Sequence, residues 1–281
     1  MIPAEFDYTA PDTLEEAISA LAGGGEDAKL LAGGHSLLPL MKLRLATPSL
    51  LVDLRKVPGL QGIQKENGNW RIGAMTPHAD LEHTPALGIF AKAAGTIADP
   101  QVRNRGTIGG SLAHGDPASD LPAVLLITDG TVTVQGPGGQ RTIAAGDLFK
   151  DYLQTAIEPG EVLTEIRAPA LDGWGYGYQK FNRRSEDWAM VGVSAVVKQT
   201  GDICEDVRIG LTNMGPVPMR ATAVENALRG QPLTADSIAK AAEGAAEGTN
   251  PPADLNASSD YKRHLAQVLC RRALQDAAGL T

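Results

Sequence analysis

Apolar and polar positions change period several times along the chain, and each change marks an element. Across residues 12–22, DTLEEAISALA, the apolar residues Leu14, Ala17, Ile18 and Leu21 recur at helical spacing and define one buried face. Asp12 or Thr13 can cap that helix, and Gly23-Gly24-Gly25 ends it. Lys29–Ala32 reads as a short strand that runs straight into Gly33-Gly34-His35-Ser36, and Leu50–Leu54 as another strand. Residues 1–55 therefore read as a small α/β unit whose strand ends in a glycine-rich bend. A hairpin is predicted over Leu60–Lys65 and Trp70–Met75, turning at Asn67-Gly68-Asn69. Helical segments follow at 77–83 and 86–97.

Residues 98–120 lose any clear period. They contain Asp99-Pro100-Gln101, Gly109-Gly110-Ser111 and Gly115-Asp116-Pro117, and lead directly into an apolar helix, Leu121–Ile127. A polar segment of this length inside a compact domain is usually functional or disordered. The apolar helix immediately behind it favours an ordered, functional stretch. Strands are predicted at 131–134 and 140–143, around Gly136-Pro137-Gly138-Gly139, and at 161–167. Pro169 and the run Gly173-Trp174-Gly175-Tyr176-Gly177 mark a domain boundary, so that the second unit spans 56–175. Three strands near 176–181, 190–199 and 205–213 are followed by helices at 219–229, 234–247 and 258–278. Strands followed by helices predict an α+β C-terminal domain over 176–281, a three-stranded antiparallel sheet plus helices.

The two glycine pairs, each followed closely by serine, carry the candidate chemistry. Glycine lets other groups approach the backbone closely, and successive N–H groups can form an anion-binding concavity. Two such bends point to a long ligand with a pyrophosphate, although each pair taken alone is also an ordinary turn. The net charge of −8 and pI near 5.2 require local dipoles rather than a basic field to hold an anion, and argue against a nucleic-acid partner. His35 and His114 are candidate acid–base groups or hydrogen-bonding contacts. Asp116 and Asp120 could accept hydrogen bonds from ribose or ribityl hydroxyls, and Asp120 could equally cap the helix behind it. Arg103 and Arg105 could neutralise phosphate or lie on the surface. Lys180, Arg183 and Arg184, with Glu186, Asp187 and Trp188, form a solvated charged face or an interface.

Other classes are excluded by what the chain lacks. There is no G-x-G-x-x-G at a strand-to-helix junction, no Walker loop, no nucleophile elbow and no zinc-ligand set. No apolar run approaches a membrane span, and no signal peptide is evident, so a cytoplasmic protein is expected. Cys204 and Cys270 have no metal-ligand spacing and read as buried thiols.

Leu31-Ala32-Gly33-Gly34-His35-Ser36-Leu37-Leu38-Pro39-Leu40-Met41 resembles the first flavin loop of the FAD-binding medium subunits of molybdenum hydroxylases. Thr107-Ile108-Gly109-Gly110-Ser111-Leu112-Ala113-His114-Gly115-Asp116-Pro117-Ala118-Ser119-Asp120-Leu121-Pro122 resembles the second. The resemblance covers essentially the whole chain and is to the carbon monoxide dehydrogenase type. It implies a vanillyl-alcohol-oxidase-type FAD-binding domain, with two α/β subdomains, before the small C-terminal domain. It implies that residues 32–36 and 109–111 bind the FAD pyrophosphate and that Asp120 hydrogen-bonds the cofactor. Ile97, Gln101, Leu163 and Lys180 match positions near the flavin, and Lys180 would favour negative charge at the ring. Leu37 stands where relatives carry an acidic or amide contact, and Trp188 is a candidate ring shield. An iron–sulfur cluster needs about four thiolates, and this chain has two cysteines. The resemblance therefore implies one subunit of three. A molybdopterin-binding large subunit and a [2Fe–2S] small subunit would be its partners, and an external acceptor such as a quinone would receive the electrons.

Overall fold

In the computed structural model, which describes residues 2–280, the first unit is β1 (Asp7–Thr9), α1 (Leu14–Gly23), β2 (Ala28–Leu31), α2 (Leu37–Lys42) and β3 (Leu50–Asp53). The three strands form a parallel sheet in the order β1-β3-β2. Helix α1 starts as the pattern predicts. Of its two candidate caps, Thr13 is used, its hydroxyl accepting from the Glu16 N–H at 3.1 Å. Its buried residues are Ala17, Ile18 and Leu21, of which Ala17 and Ile18 share a core with Val52 and Leu54. Strand β1 is a finding beyond the sequence pattern: three residues are too few to show a period, and its pairing with β3 defines it.

The second unit holds β4 (Ile63–Glu66), β5 (Asn69–Gly73), α3 (His78–Glu82), α4 (Ile89–Ala94), α5 (Pro100–Arg103), α6 (Ile108–His114), α7 (Asp120–Ile127), β6 (Thr131–Gly136), β7 (Gly139–Ala144), α8 (Ala145–Leu148), β8 (Phe149–Asp151), β9 (Gln154–Thr155) and β10 (Val162–Pro169). Five strands form a wholly antiparallel sheet in the order β4-β5-β10-β6-β7. The stretch without a period, 98–120, contains α5 and α6. At four and seven residues they are too short to display one, and caps fix them instead. Asp99 accepts from Val102 N–H at 2.8 Å, Thr107 accepts from Gly110 N–H at 3.1 Å, and Gly115 ends α6 in the left-handed region.

The third unit comprises β11 (Gly175–Phe181), β12 (Val191–Thr200), β13 (Ile203–Thr212), β14 (Met219–Arg220), α9 (Thr222–Leu228), α10 (Ala235–Ala242) and α11 (Ser259–Ala278). The expected three-stranded sheet has a fourth strand. Met219 and Arg220 pair with Leu211 and Gly210, so α9 begins at Thr222 rather than at 219. Helix α11 covers one face of β11 and β12, with Val193, Ala195, Leu269 and Ala273 in one core. Helix α7 covers the other face. It is apolar almost all round, which marks a helix buried on every side. Tyr178 and Val196, from the third sheet, join the core of the second unit around α7.

Candidate functional site

The three units meet around a cleft of about 480 Å³. The first unit supplies the bend after β2, the second the start of α6 and the turn before α7, and the third Lys180 and Trp188.

The first bend, Gly33–Ser36, connects β2 to α2. Gly34 has φ +76°, a conformation that glycine adopts without strain. Among the described residues no acceptor takes the N–H of Gly33, Gly34, His35 or Ser36. Four consecutive donors without acceptors meet one requirement of an anion-binding bend. His35 Nδ1 lies 2.9 Å from the Gly33 carbonyl, so the ring donates there and braces the bend.

The second bend is built differently from the first. Gly109 N–H donates to the Ala74 carbonyl (2.8 Å), Gly110 N–H to Thr107 Oγ1 (3.1 Å) and Ser111 N–H to the Thr107 carbonyl (3.0 Å). Its amides are already used inside the fold, and neither glycine has positive φ. These glycines serve close approach instead. A Cβ on Gly109 would lie 2.6 Å from the Ala74 carbonyl oxygen. One on Gly33 would lie 2.7 Å from Gly106 Cα, so the two bends touch through bare backbone. The expectation of amide donors from both bends is thus corrected: the first offers backbone N–H groups, and the second offers the side chains of Ser111 and His114 along the cleft.

Asp120 does not cap α7. Ser119 occupies the cap position without a capping bond, and the Asp120 carboxylate is buried. Tyr178 Oη donates to Asp120 Oδ1, and Lys180 Nζ donates to Asp120 Oδ2 at 3.0 Å and to the Thr96 carbonyl at 3.2 Å. Both ion-pair side chains are only 5% exposed. Burial raises the Asp120 carboxyl above its usual range, against the opposing pull of Lys180 and the Tyr178 hydroxyl. Burial, and then the Asp120 charge, push the Tyr178 phenol well above 10. Arg183 and Arg184 are exposed and lie beside Asp187. Arg103 is neither a surface group nor a phosphate contact: it pairs with Glu82 at 2.7 Å and donates to the Ile97 and Ala98 carbonyls. Arg105 is exposed.

Ala32, Gly33, Gly34, His35, Ser36, Leu37, Ile97, Thr107, Gly109, Gly110, Ser111, His114, Asp120, Leu163 and Lys180 all border the cleft, as does Trp188. Leu31 and Ile108 instead point into cores, where they fix the strand and helix that carry the bends. Gln101 is exposed on α5, and Asp116 accepts from the Ala118 N–H at 2.8 Å to shape the turn before α7. Sequence reasoning missed three residues here. Tyr178 was hidden in an alternating strand. Ser119 and His78 border the cleft, and Ser119 Oγ and His78 Nδ1 are buried with no hydrogen-bond partner among the described residues. A place inside the second motif is the only signal for Ser119, and His78 has none. Burial, with His35 and Arg103 nearby, lowers the His78 pKa to about 4, so its ring is neutral at pH 7.

Among the described residues no group of three or more His, Cys, Asp or Glu could hold a metal ion, and no helix is long and apolar enough to cross a membrane. Cys204 and Cys270 are free and buried, their pKa values raised by desolvation to about 11 and about 12.

Residues 4–171 match the family model of the FAD binding domain in molybdopterin dehydrogenase, and residues 176–277 that of the CO dehydrogenase flavoprotein C-terminal domain. The chain is 43% identical to the carbon monoxide dehydrogenase medium chain of Hydrogenophaga pseudoflava, over 99% of this chain and 98% of the relative. It is 40% identical to the 6-hydroxypseudooxynicotine dehydrogenase complex subunit alpha of Paenarthrobacter nicotinovorans, over 99% and 96%. Among solved structures, a chain of quinoline 2-oxidoreductase from Pseudomonas putida 86 superimposes with a TM-score of 0.95 at 35% identity, covering 99% of each chain.

Proposed function

The chain belongs to the family of FAD-binding domains of molybdopterin dehydrogenases, and from that premise we propose that FAD lies in the cleft and that the chain is the medium, electron-transferring subunit of a molybdenum hydroxylase complex. The observation that carries the placement is the row of four N–H groups without acceptors, Gly33–Ser36, held against Gly106 of the second bend. The fit to FAD is chemical. A diphosphate needs hydrogen-bond donors, and on a chain of net charge −8 the first bend supplies them as local backbone dipoles. Ser119 Oγ, orphaned at the cleft wall, has the partner it lacks if a cofactor hydroxyl or ring atom lies beside it.

When bound, FAD supplies reversible one- and two-electron transfer at its isoalloxazine ring. The residues of the chain bind, orient and tune. Ile97 and Leu163 provide an apolar wall, and Ser111 and His114 provide polar side chains along the cleft. Lys180 brings no net charge by itself, because Asp120 at 3.0 Å balances it. Its effect on the ring is exerted as one half of a buried neutral pair, which is weaker than that of a lone ammonium. No side-chain acid or base is required for electrons to arrive.

Electrons would reach this chain from a [2Fe–2S] small subunit, fed in turn by a molybdopterin-binding large subunit where substrate is oxidised. They would leave to an external carrier such as a quinone. The names of the full-length relatives, medium chain and subunit alpha of a dehydrogenase complex, support the subunit role. The free buried thiols suit a reducing cytoplasm. Divisions at 1–55, 56–175 and 176–281 belong to the same reading, their outermost residues Met1 and Thr281 lying outside the described structure. Purification from its source under mild conditions tests the proposal. The expected result is a yellow complex with one FAD per chain and two further polypeptides, one cysteine-rich and one carrying pterin. A colourless protein overturns the cofactor placement, and a yellow protein without partners makes it a free-standing flavoprotein.

A further inference from the structure

We propose that His78 is a binding residue for the diphosphate end of FAD, hydrogen-bonding it from the side opposite the first bend. This rests on the placement of FAD in the cleft given above.

The position of His78 is fixed by backbone. Its N–H donates to the Gly106 carbonyl at 2.9 Å, and Ile108 N–H donates to the Thr76 carbonyl at 3.1 Å, so residues 76–78 run alongside 106–108. Pro77 and Thr107 form a bridge within this pairing. The ring then lies against Gly106. A Cβ on Gly106 would come 2.9 Å from His78 Cδ2, while a Cβ on Gly33 would come 2.7 Å from Gly106 Cα. Gly106 thus packs against both the imidazole and Gly33, and its missing side chain brings the ring close to the amide-rich bend. Any larger residue there would collide with the ring.

His78 is 5% exposed, and its Nδ1 has no partner among the described residues. Buried polar atoms are nearly always hydrogen-bonded, because an unpaired one forfeits its hydration for nothing. Of the four residues that carry such an atom among the described residues, His78 and Ser119 line the cleft and Trp70 and Thr212 do not. Structural needs do not explain the imidazole, since an apolar side chain of similar size would fill the space without the orphan. Burial first, and then the nearby His35 of the first bend and Arg103 of α5, the latter balanced by Glu82, keep the ring neutral. A neutral imidazole can donate from one nitrogen to a phosphate oxygen.

The test uses the full chain depleted of FAD and titrated with FAD and, separately, with ADP, which carries a diphosphate but no flavin. Three proteins are compared: wild type, His78→Phe and His78→Gln. His78→Phe is expected to weaken both ligands by about tenfold, the scale of one hydrogen bond to a charged group. His78→Gln, which keeps a donor, is expected to stay within about threefold of wild type on the same scale. The melting temperature of the ligand-free His78→Phe protein should equal or exceed that of wild type. Unchanged FAD affinity in His78→Phe overturns the assignment. So does a matched loss in both variants with lowered ligand-free melting temperatures, which marks a structural role. A loss for FAD but not for ADP overturns the diphosphate placement. If wild type binds neither ligand, the fault lies with the cofactor reading and not with His78.

Discussion

Gly33 shows how much a single missing Cβ decides. An alanine there would meet the Arg105 carbonyl and Gly106 Cα and force the two bends apart. Gly33→Ala is expected to destabilise the FAD-bound state by about 2 kcal/mol and to lower flavin retention on desalting. Gly23→Ala is the matched control, because its Cβ would meet nothing within 4 Å. It should be neutral or slightly stabilising and leave the yellow colour intact. Lys180 is the other decisive residue. Lys180→Met leaves a buried carboxylate with only the Tyr178 hydroxyl for company. Breaking such a pair typically costs about 3–5 kcal/mol. Burial already raises the Asp120 carboxyl, so the folded variant holds its proton more tightly than the unfolded chain does. Stability of Lys180→Met should therefore be greater at pH 5 than at pH 8, falling as the pH rises through the folded-state pKa. Urea unfolding at the two pH values checks this. Spectroelectrochemistry should show a lower flavin potential at pH 8, where the negative charge on Asp120 is uncompensated, and a smaller shift at pH 5. A flavin potential unmoved at both would remove Lys180 from the ring environment.

At the scale of elements, β11 and α11 are held together by backbone contact. Cβ atoms on Gly175 and Gly177 would fall inside the carbonyls of Ala277 and Ala273. Gly175 and Gly177 therefore let a strand lie flat on a helix. Gly177→Ala should cost about 2–3 kcal/mol in chemical denaturation, since an inserted methyl has nowhere to go. The other end of α11 depends on Lys262, fully buried, with Nζ 2.7 Å from Asp254 Oδ2. Burial pushes the Asp254 carboxyl up, but the Lys262 ammonium and the Asn256 and Ala257 N–H groups outweigh it and leave the pKa below 3.8. A carboxyl depressed on folding contributes stability above its unfolded value, and that contribution disappears as the pH falls through the folded one. Wild type should thus lose stability below about pH 4 more steeply than Asp254→Asn, which is weakened throughout because Lys262 stays buried without its partner. Acid titration followed by circular dichroism compares the two slopes. Elements of this kind were mostly legible in the sequence. Helix α1 and the 258–278 helix carry long periods. Strand β14 and helices α5 and α6 do not, because two to seven residues cannot repeat a period often enough to be seen.

At the scale of the whole molecule, the cleft exists because elements of three independently patterned units meet along it, the second and third packing on each other through α7. A ligand bound only by the assembled form stabilises that form by mass action, about 2.7 kcal/mol at a hundredfold excess over Kd. For a chain of this size that corresponds to a melting shift of roughly 5 °C. Differential scanning fluorimetry with and without FAD should show it, and FAD-dependent protection from proteolysis should centre on residues 32–36 and 106–111. By itself the sequence determined the sheets and helices with enough residues to repeat, the two glycine bends, and the family resemblance they carry. Those features are local, written in spacing and in residues that only certain backbone shapes accept. The tertiary structure decided which amides remain free and which side chains are orphaned. The acceptors that consume the second bend's N–H groups include the Ala74 carbonyl, more than thirty positions away, and the groups that bury Asp120 come from the third sheet. Hydrogen-bond partners are settled by packing between distant segments, and no pattern along the chain records which donors that packing leaves open.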